Sequence, residues 1–156
     1  LLEEGFADVT VLDVSGEAIR KCRESLGERG RRIRWIEGDV TKVALEPLRY
    51  DLWHDRAVFH FLTDAGDRRA YAEAAERALR PAGHLVIATF SLKGPRKCSG
   101  LDVARYDPES LRGEFGERFR LVCAAGERHT TPSGAPQDYV YCLLKKTRGP
   151  DAGTAP

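Results

Sequence analysis

Apolar residues recur along this chain in two rhythms. Val9–Val14, Ile33–Val40, Tyr50–Trp53 and His84–Phe90 are short apolar runs of strand length. Between them the spacing becomes helical. Ile19, Cys22 and Leu26 fall at i, i+3 and i+7, after a Ser15 N-cap and before Gly27 and Gly30. A second helix runs from a Thr63 or Asp64 cap through Arg80 and buries Ala70, Tyr71, Ala74, Ala75, Ala78 and Leu79. Pro81-Ala82-Gly83 stops it. Asp107-Pro108 opens a third, with Leu111 and Phe115 as its buried face. Phe119–Ala124 and Tyr139–Leu144 are two closing strands joined through the turn-rich HTTPSGAPQ. At the start, Leu1-Leu2 before Gly5-Phe6 has the form of a last helical turn closed by glycine.

Alternation of strands and helices predicts an α/β fold, a doubly wound and mostly parallel sheet whose last strand is antiparallel. The unbroken apolar run His84–Phe90 predicts a strand covered on both faces. Residues 1–146 read as one domain without internal repeats, and Thr147–Pro156 as a disordered polar tail. In open α/β sheets ligands bind outside the carboxyl ends of the strands. Four strand ends carry polar residues to that rim. They are Asp13, Asp39, the stretch YDLWHDRAVFHFL with His54, Asp55, Arg56 and His60, and the loop SLKGPRKCSG.

Composition narrows the function. The formal net charge is +1, which supplies no general field for a polyanion, so nucleic acid is not expected as a partner. Cys22, Cys98, Cys123 and Cys142 show no metal-ligand spacing. They read as reduced thiols of a cytoplasmic protein, with Cys22, Cys123 and Cys142 buried as small hydrophobes. No apolar run approaches the ~20 residues that span a bilayer. Nineteen arginines against six lysines point to a GC-rich, bacterial coding sequence. The chain has no methionine and begins at Leu1 in what reads as a helix end, so it is expected to be a fragment lacking its beginning.

The segments VLDVSGEAIRKC, IEGDV, YDLWHDRAVFHFL and ALRPAGHLVIATF, in this order and with Asp39 26 positions after Asp13, resemble the class I (Rossmann-like) S-adenosylmethionine-dependent methyltransferases of the small-molecule type. The resemblance implies S-adenosyl-L-methionine as cofactor, held by Asp13, Val14, Ser15, Asp39 and Val40. Asp13 would accept the ribose hydroxyls, Asp39 the adenine amino group, and the Val40 N–H would face the ring. Read without the family, Asp13 is a surface acid at a strand end, Ser15 a helix cap and Asp39 a turn residue. The family's first strand and glycine-rich loop have no counterpart here. By resemblance that strand belongs between the strands at Val9 and Tyr50.

Methyl transfer needs an aligned acceptor and, for a hydroxyl or ammonium, a base. His54 and Asp55 are the candidates to line the active site, with Arg56 orienting an anionic substrate or pairing with Asp55. A structural Asp55–Arg56 ion pair and a packed core His60 are the plainer readings. His129 and Gln137 could line the same pocket, and Cys98 reads as a loop cysteine. No metal site is expected. The expected partner is a small-molecule substrate. A NAD-binding oxidoreductase, which would use Asp13 equally well, and a non-catalytic fragment or homodimerisation module are the alternatives.

Overall fold

The computed structural model describes residues 1–147, so the predicted tail lies, apart from Thr147, outside the described residues. Thr147 itself is tied down, its N–H donating to the Arg118 carbonyl at 2.8 Å. The chain divides into two compact units, Leu1–Ala44 and Leu45–Pro156.

The first unit opens on a turn closed by Gly5, whose φ of 87° lies in the left-handed region that glycine enters without strain. Strand β1 (Val9–Asp13) leads into helix α1 (Gly16–Leu26), a short 3-10 segment and strand β2 (Ile33–Glu37). The two strands pair in parallel, from Val9 opposite Ile33 to Asp13 opposite Glu37. Ser15 caps α1 by accepting the Ala18 N–H. Of the predicted helical stripe Ile19 is buried, whereas Cys22 is exposed, contrary to expectation.

The second unit holds a four-stranded sheet in the order β3–β4–β8–β7. Its strands are β3 (Tyr50–Arg56), β4 (Leu79–Phe90), β7 (Phe119–Thr130) and β8 (Pro136–Lys146). β3 and β4 are parallel, and β8 runs antiparallel to both its neighbours. Helix α2 (Ala65–Ala78) links β3 to β4, with Asp64 as its N-cap. A hairpin of β5 (Lys97–Cys98) and β6 (Leu101–Asp102) precedes helix α3 (Pro108–Gly113), which opens on an Asp107–Ser110 capping box. The predicted glycine-rich loop is therefore partly strand.

β4 begins earlier than its apolar run. Tyr50 pairs with Leu79 and Leu52 already with His84, so Arg80–Gly83 bulges out between two paired segments. Along the strand Leu85 and Ile87 are fully buried while His84 and Val86 are half-buried. The expected cover on both faces thus holds only at the carboxyl end. There Ala88, Phe90 and Tyr139 form a cluster with Ala57, Cys98, Val103 and Tyr141. The main core lies on the other face, where Tyr71, Ala75, Leu111, Phe115, Cys142 and Leu144 are buried. β7 is an edge strand exposed along nearly its whole length, including Cys123. Its register slips between Leu121 and Cys123, a bulge of the kind that discourages further pairing at an edge.

Candidate active site

At the carboxyl end of β1, Asp13 is half-buried and its Oδ1 accepts the Ser15 N–H at 2.8 Å. No other hydrogen bond engages its carboxylate among the described residues, so Oδ2 is open to a ligand. Val14 beside it is 75% exposed, an apolar surface next to the acid. Ser15 is committed to its helix. Glu37, opposite Asp13, folds its carboxylate over the first turn of α1. A Cβ built on Gly16 would stand 2.5 Å from Glu37 Oε2, so a larger residue there would push the Glu37 carboxylate aside. An acid here also suits the positive end of a helix.

Asp39 is differently occupied. Its Oδ1 accepts the Thr41 N–H at 2.9 Å and the Thr41 hydroxyl at 2.7 Å, while Oδ2 pairs with Lys42 Nζ at 2.8 Å. The Lys42 ammonium, then the Thr41 donors, draw the Asp39 pKa down to about 2. The carboxylate closes its own turn. The neighbouring Val40 N–H makes no hydrogen bond among the described residues and stays available as a donor.

In the second unit the β3 pleat separates the predicted triplet, because successive side chains leave a strand on opposite faces. His54 and Arg56 are exposed on one face, and Asp55 is buried at 5% exposure on the other. Asp55 therefore does not line the rim beside His54, and it makes no ion pair with Arg56. Its carboxylate accepts the Val58 N–H at 2.9 Å, the Phe59 N–H at 3.1 Å and the Tyr71 hydroxyl at 2.6 Å. Tyr71 in turn accepts the Trp53 indole N–H at 2.9 Å. Burial raises the Asp55 pKa and these donors oppose it. The acid is an anchor that folds residues 56–61 back onto α2, across an Ala57 held at φ 69°.

The His54 side chain makes no hydrogen bond among the described residues and is exposed. His60 is fully buried between Phe61 and Phe90, with Nδ1 accepting the Phe90 N–H at 3.4 Å. Burial lowers its pKa to about 4, so it is neutral at physiological pH. Arg56 leans on the closing strands instead of on Asp55. Its Nε donates to the Tyr141 hydroxyl at 2.8 Å, and its guanidinium carbon lies 5.1 Å from the centre of the Tyr139 ring.

Sequence reasoning missed the cleft at the carboxyl end of β4. It has a volume of about 710 Å³ and is lined chiefly by Ser91–Lys93, Tyr106–Pro108, Ala124–Arg128 and Asp138–Val140. Arg128 and Asp138 line it where His129 and Gln137 were expected, and they pair with each other at 2.8 Å. The available signal was the small-residue run Ala124-Ala125-Gly126, placed opposite Tyr141 and Val140 by the hairpin register. Among the described residues no group of three or more His, Cys, Asp or Glu could hold a metal ion, and no helix is long and apolar enough to cross a membrane.

Solved structures resemble this chain over most of its length. A protein solved in work on the conversion of a disulfide bond into a thioacetal group during echinomycin biosynthesis matches at TM-score 0.75 and 19% identity, over 96% of this chain and 70% of that one. The N-methyltransferase NodS of Bradyrhizobium japonicum, in complex with S-adenosyl-L-homocysteine, matches at TM-score 0.67 and 19% identity, over 90% and 67%. The 1,6-didemethyltoxoflavin-N1-methyltransferase of Burkholderia thailandensis, bound to 1,6-didemethyltoxoflavin and S-adenosylhomocysteine, matches at TM-score 0.68 and 22% identity, over 94% and 64%. At these identities the likeness establishes the fold. No curated protein matches the chain. The family model described as "Methyltransferase domain" matches residues 1–83, more than half of the 156. This chain belongs to that family of methyltransferases.

Proposed function

We propose that this methyltransferase moves the methyl group of S-adenosyl-L-methionine to a small-molecule acceptor, with the cofactor on the exits of β1 and β2 and the acceptor at the exits of β3 and β4. The observation that carries the small-molecule reading is the cleft of about 710 Å³ beside the carboxyl end of β4. That volume falls in the range of sites that enclose small ligands, roughly 300–1,000 Å³. One of the similar structures, the 1,6-didemethyltoxoflavin-N1-methyltransferase, acts on a small molecule by name and holds that substrate, and both it and NodS hold S-adenosylhomocysteine. The family match runs from the first unit into the second, which supports a single catalytic domain.

The residues present fit S-adenosylmethionine in part. Asp13 offers an open carboxylate oxygen to a pair of ribose hydroxyls, the bidentate use such acids have in dinucleotide sites. Exposed Val14 and the uncommitted Val40 N–H suit an adenine ring. The Asp39 carboxylate is already satisfied, so its contribution is to hold the turn that presents Val40. When bound, the cofactor supplies a methyl group made electrophilic by a sulfonium. The protein's part is to align an acceptor and take its proton. His54, exposed and with its side chain unengaged, is the base; Arg56 orients the acceptor; Asp55 sets the turn that follows them. The four free cysteines suit a cytoplasmic setting.

The test is calorimetric titration with S-adenosylhomocysteine, with circular dichroism confirming the fold. Saturable binding that Asp13→Ala weakens at least tenfold supports the reading. A folded chain that binds NADH and ignores S-adenosylhomocysteine would sink it.

A further inference from the structure

Helix α1 begins beside two carboxylates. Asp13 and Glu37 stand opposite one another at the last register position of the parallel pair β1–β2. Neighbouring strands lie about 4.8 Å apart, so the two side chains leave the sheet as close neighbours. Asp13 meets the helix start through the Ser15 N–H at 2.8 Å. Glu37 meets it at Gly16, where the absence of a side chain leaves room for the carboxylate. The Glu37 side chain is exposed and makes no hydrogen bond or ion pair among the described residues. The other acids of the two exits are engaged. Lys42 holds Asp39 at 2.8 Å and Arg20 holds Glu17 at 2.7 Å. Asp13 Oδ2 and both oxygens of Glu37 are thus the carboxylate oxygens left unfilled there.

A ribose brings two adjacent hydroxyls, and each needs an acceptor when it leaves water. A carboxylate with both oxygens open can take the pair alone. Asp13 has given one oxygen to its own turn and keeps one open. Glu37 starts from the same level of the sheet, carries one methylene more, and has nothing to release before it accepts. The second hydroxyl therefore has an acceptor without any change at Ser15, which caps the helix.

We infer that Glu37 shares the cofactor ribose with Asp13, each carboxylate accepting one of the two hydroxyls. This rests on the methyltransferase reading above and adds to it a second residue that selects for the ribose. The experiment titrates S-adenosylhomocysteine into the full chain by calorimetry, then displaces it with adenosine or with 2′,3′-dideoxyadenosine, which keeps the base and lacks both hydroxyls. On the wild type adenosine should be at least about tenfold the better competitor. Glu37→Ala should weaken S-adenosylhomocysteine about tenfold and cut the advantage of adenosine to about threefold. Glu37→Gln keeps an amide oxygen that can accept, and should fall between the two. Circular dichroism checks that each variant is folded, and Glu37 makes no bond whose loss would unfold it. Unchanged S-adenosylhomocysteine affinity in Glu37→Ala, a hydroxyl preference that survives it, equal displacement by the two nucleosides, or displacement by neither overturns the inference. Asp13→Ala separates the two levels. S-adenosylhomocysteine that ignores Glu37→Ala but is weakened by Asp13→Ala rejects the Glu37 contact alone, whereas no binding to the folded wild type rejects the cofactor site beneath it.

Discussion

The exits of β1 and β3 use the same ingredients and come to opposite ends. Each is a short strand carrying an aspartate at or next to its last residue. Asp13 accepts one hydrogen bond, from the Ser15 N–H two residues on, and keeps an oxygen open. Asp55 accepts three, from two backbone amides and Tyr71, and is buried. The difference comes from the pleat and from what packs behind it. Asp55 points to the face covered by α2, where Tyr71 waits. Asp13 turns back to its own helix start, where it meets the Ser15 N–H. A buried carboxylate without donors would be costly, so the donors are a condition of its burial. An acid at a strand exit is therefore a site or a pillar according to its burial and its donors.

The sharpest way to break this comparison is to remove the pillar. Asp55→Ala strands the Val58 and Phe59 amides and the Tyr71 hydroxyl, and should cost about 3 kcal/mol or more by urea unfolding. A loss below about 1 kcal/mol would mean that the carboxylate is dispensable. Tyr71→Phe should cost about 1–2 kcal/mol, since it leaves the Trp53 N–H without its acceptor and Asp55 Oδ2 with the Phe59 N–H as its one remaining donor. In the double variant the two losses should fall well short of additive, as expected for groups in one network.

His60, in the turn that Asp55 holds, gives the next effect. Its folded pKa of about 4 lies below the ordinary histidine value near 6.5 because burial penalises the charged ring. Below pH 6.5 the unfolded chain takes up a proton that the folded chain refuses. Stability from this residue is therefore complete above about pH 6.5, falls as pH drops towards 4, and levels off beneath. The shift corresponds to an effect on the order of 3 kcal/mol. His60→Phe should flatten the stability profile between pH 6.5 and 4. An unchanged slope would show that other groups set it.

Much of this arrangement was legible in the chain, and the failures have physical causes. Periodicity placed the helices at Ser15 and Asp64 because the caps and the apolar spacing agree there. It misjudged Cys22 because a helical stripe shows which residues share a face, not whether anything covers it. It started β4 late because Pro81-Ala82-Gly83 has the composition of a stop, yet the backbone bulges and resumes pairing. The triplet His54-Asp55-Arg56 was visible as chemistry, but its division between two sheet faces depends on which face α2 covers. The Tyr71 and Tyr141 hydroxyls that decide the fates of Asp55 and Arg56 lie 16 and 85 residues away. Pairings at such separations have no local signature.

Asp13 should behave as the inverse of Asp55. Asp13→Ala removes one hydrogen bond at a half-exposed turn and should alter stability by less than about 0.5 kcal/mol. S-adenosylhomocysteine binding should nevertheless weaken at least tenfold, about 1.4 kcal/mol. A large stability loss with unchanged binding would reverse the roles assigned to the two strand exits.

Asp39 supplies the finest distinction, because it is neither buried like Asp55 nor open like Asp13. Its acid-side behaviour follows from the contacts with Lys42 and Thr41. Its folded pKa of about 2 lies below the ordinary aspartate value near 3.9, so the support it gives its turn is present above that value and disappears as pH falls towards 2. Carboxyl-carbon NMR should show Asp39 still ionised at pH 3, and Lys42→Ala should move its midpoint upward. If the turn matters to the cofactor only by presenting the Val40 N–H, Asp39→Asn should change S-adenosylhomocysteine affinity by no more than about threefold. An asparagine can still accept from Thr41, as in other turns of this kind. A loss as large as that of Asp13→Ala would mean that the carboxylate leaves Thr41 and Lys42 to meet the ligand. Asp39 would then belong with Asp13, and a carboxylate already occupied in the free protein could no longer be set aside as structural.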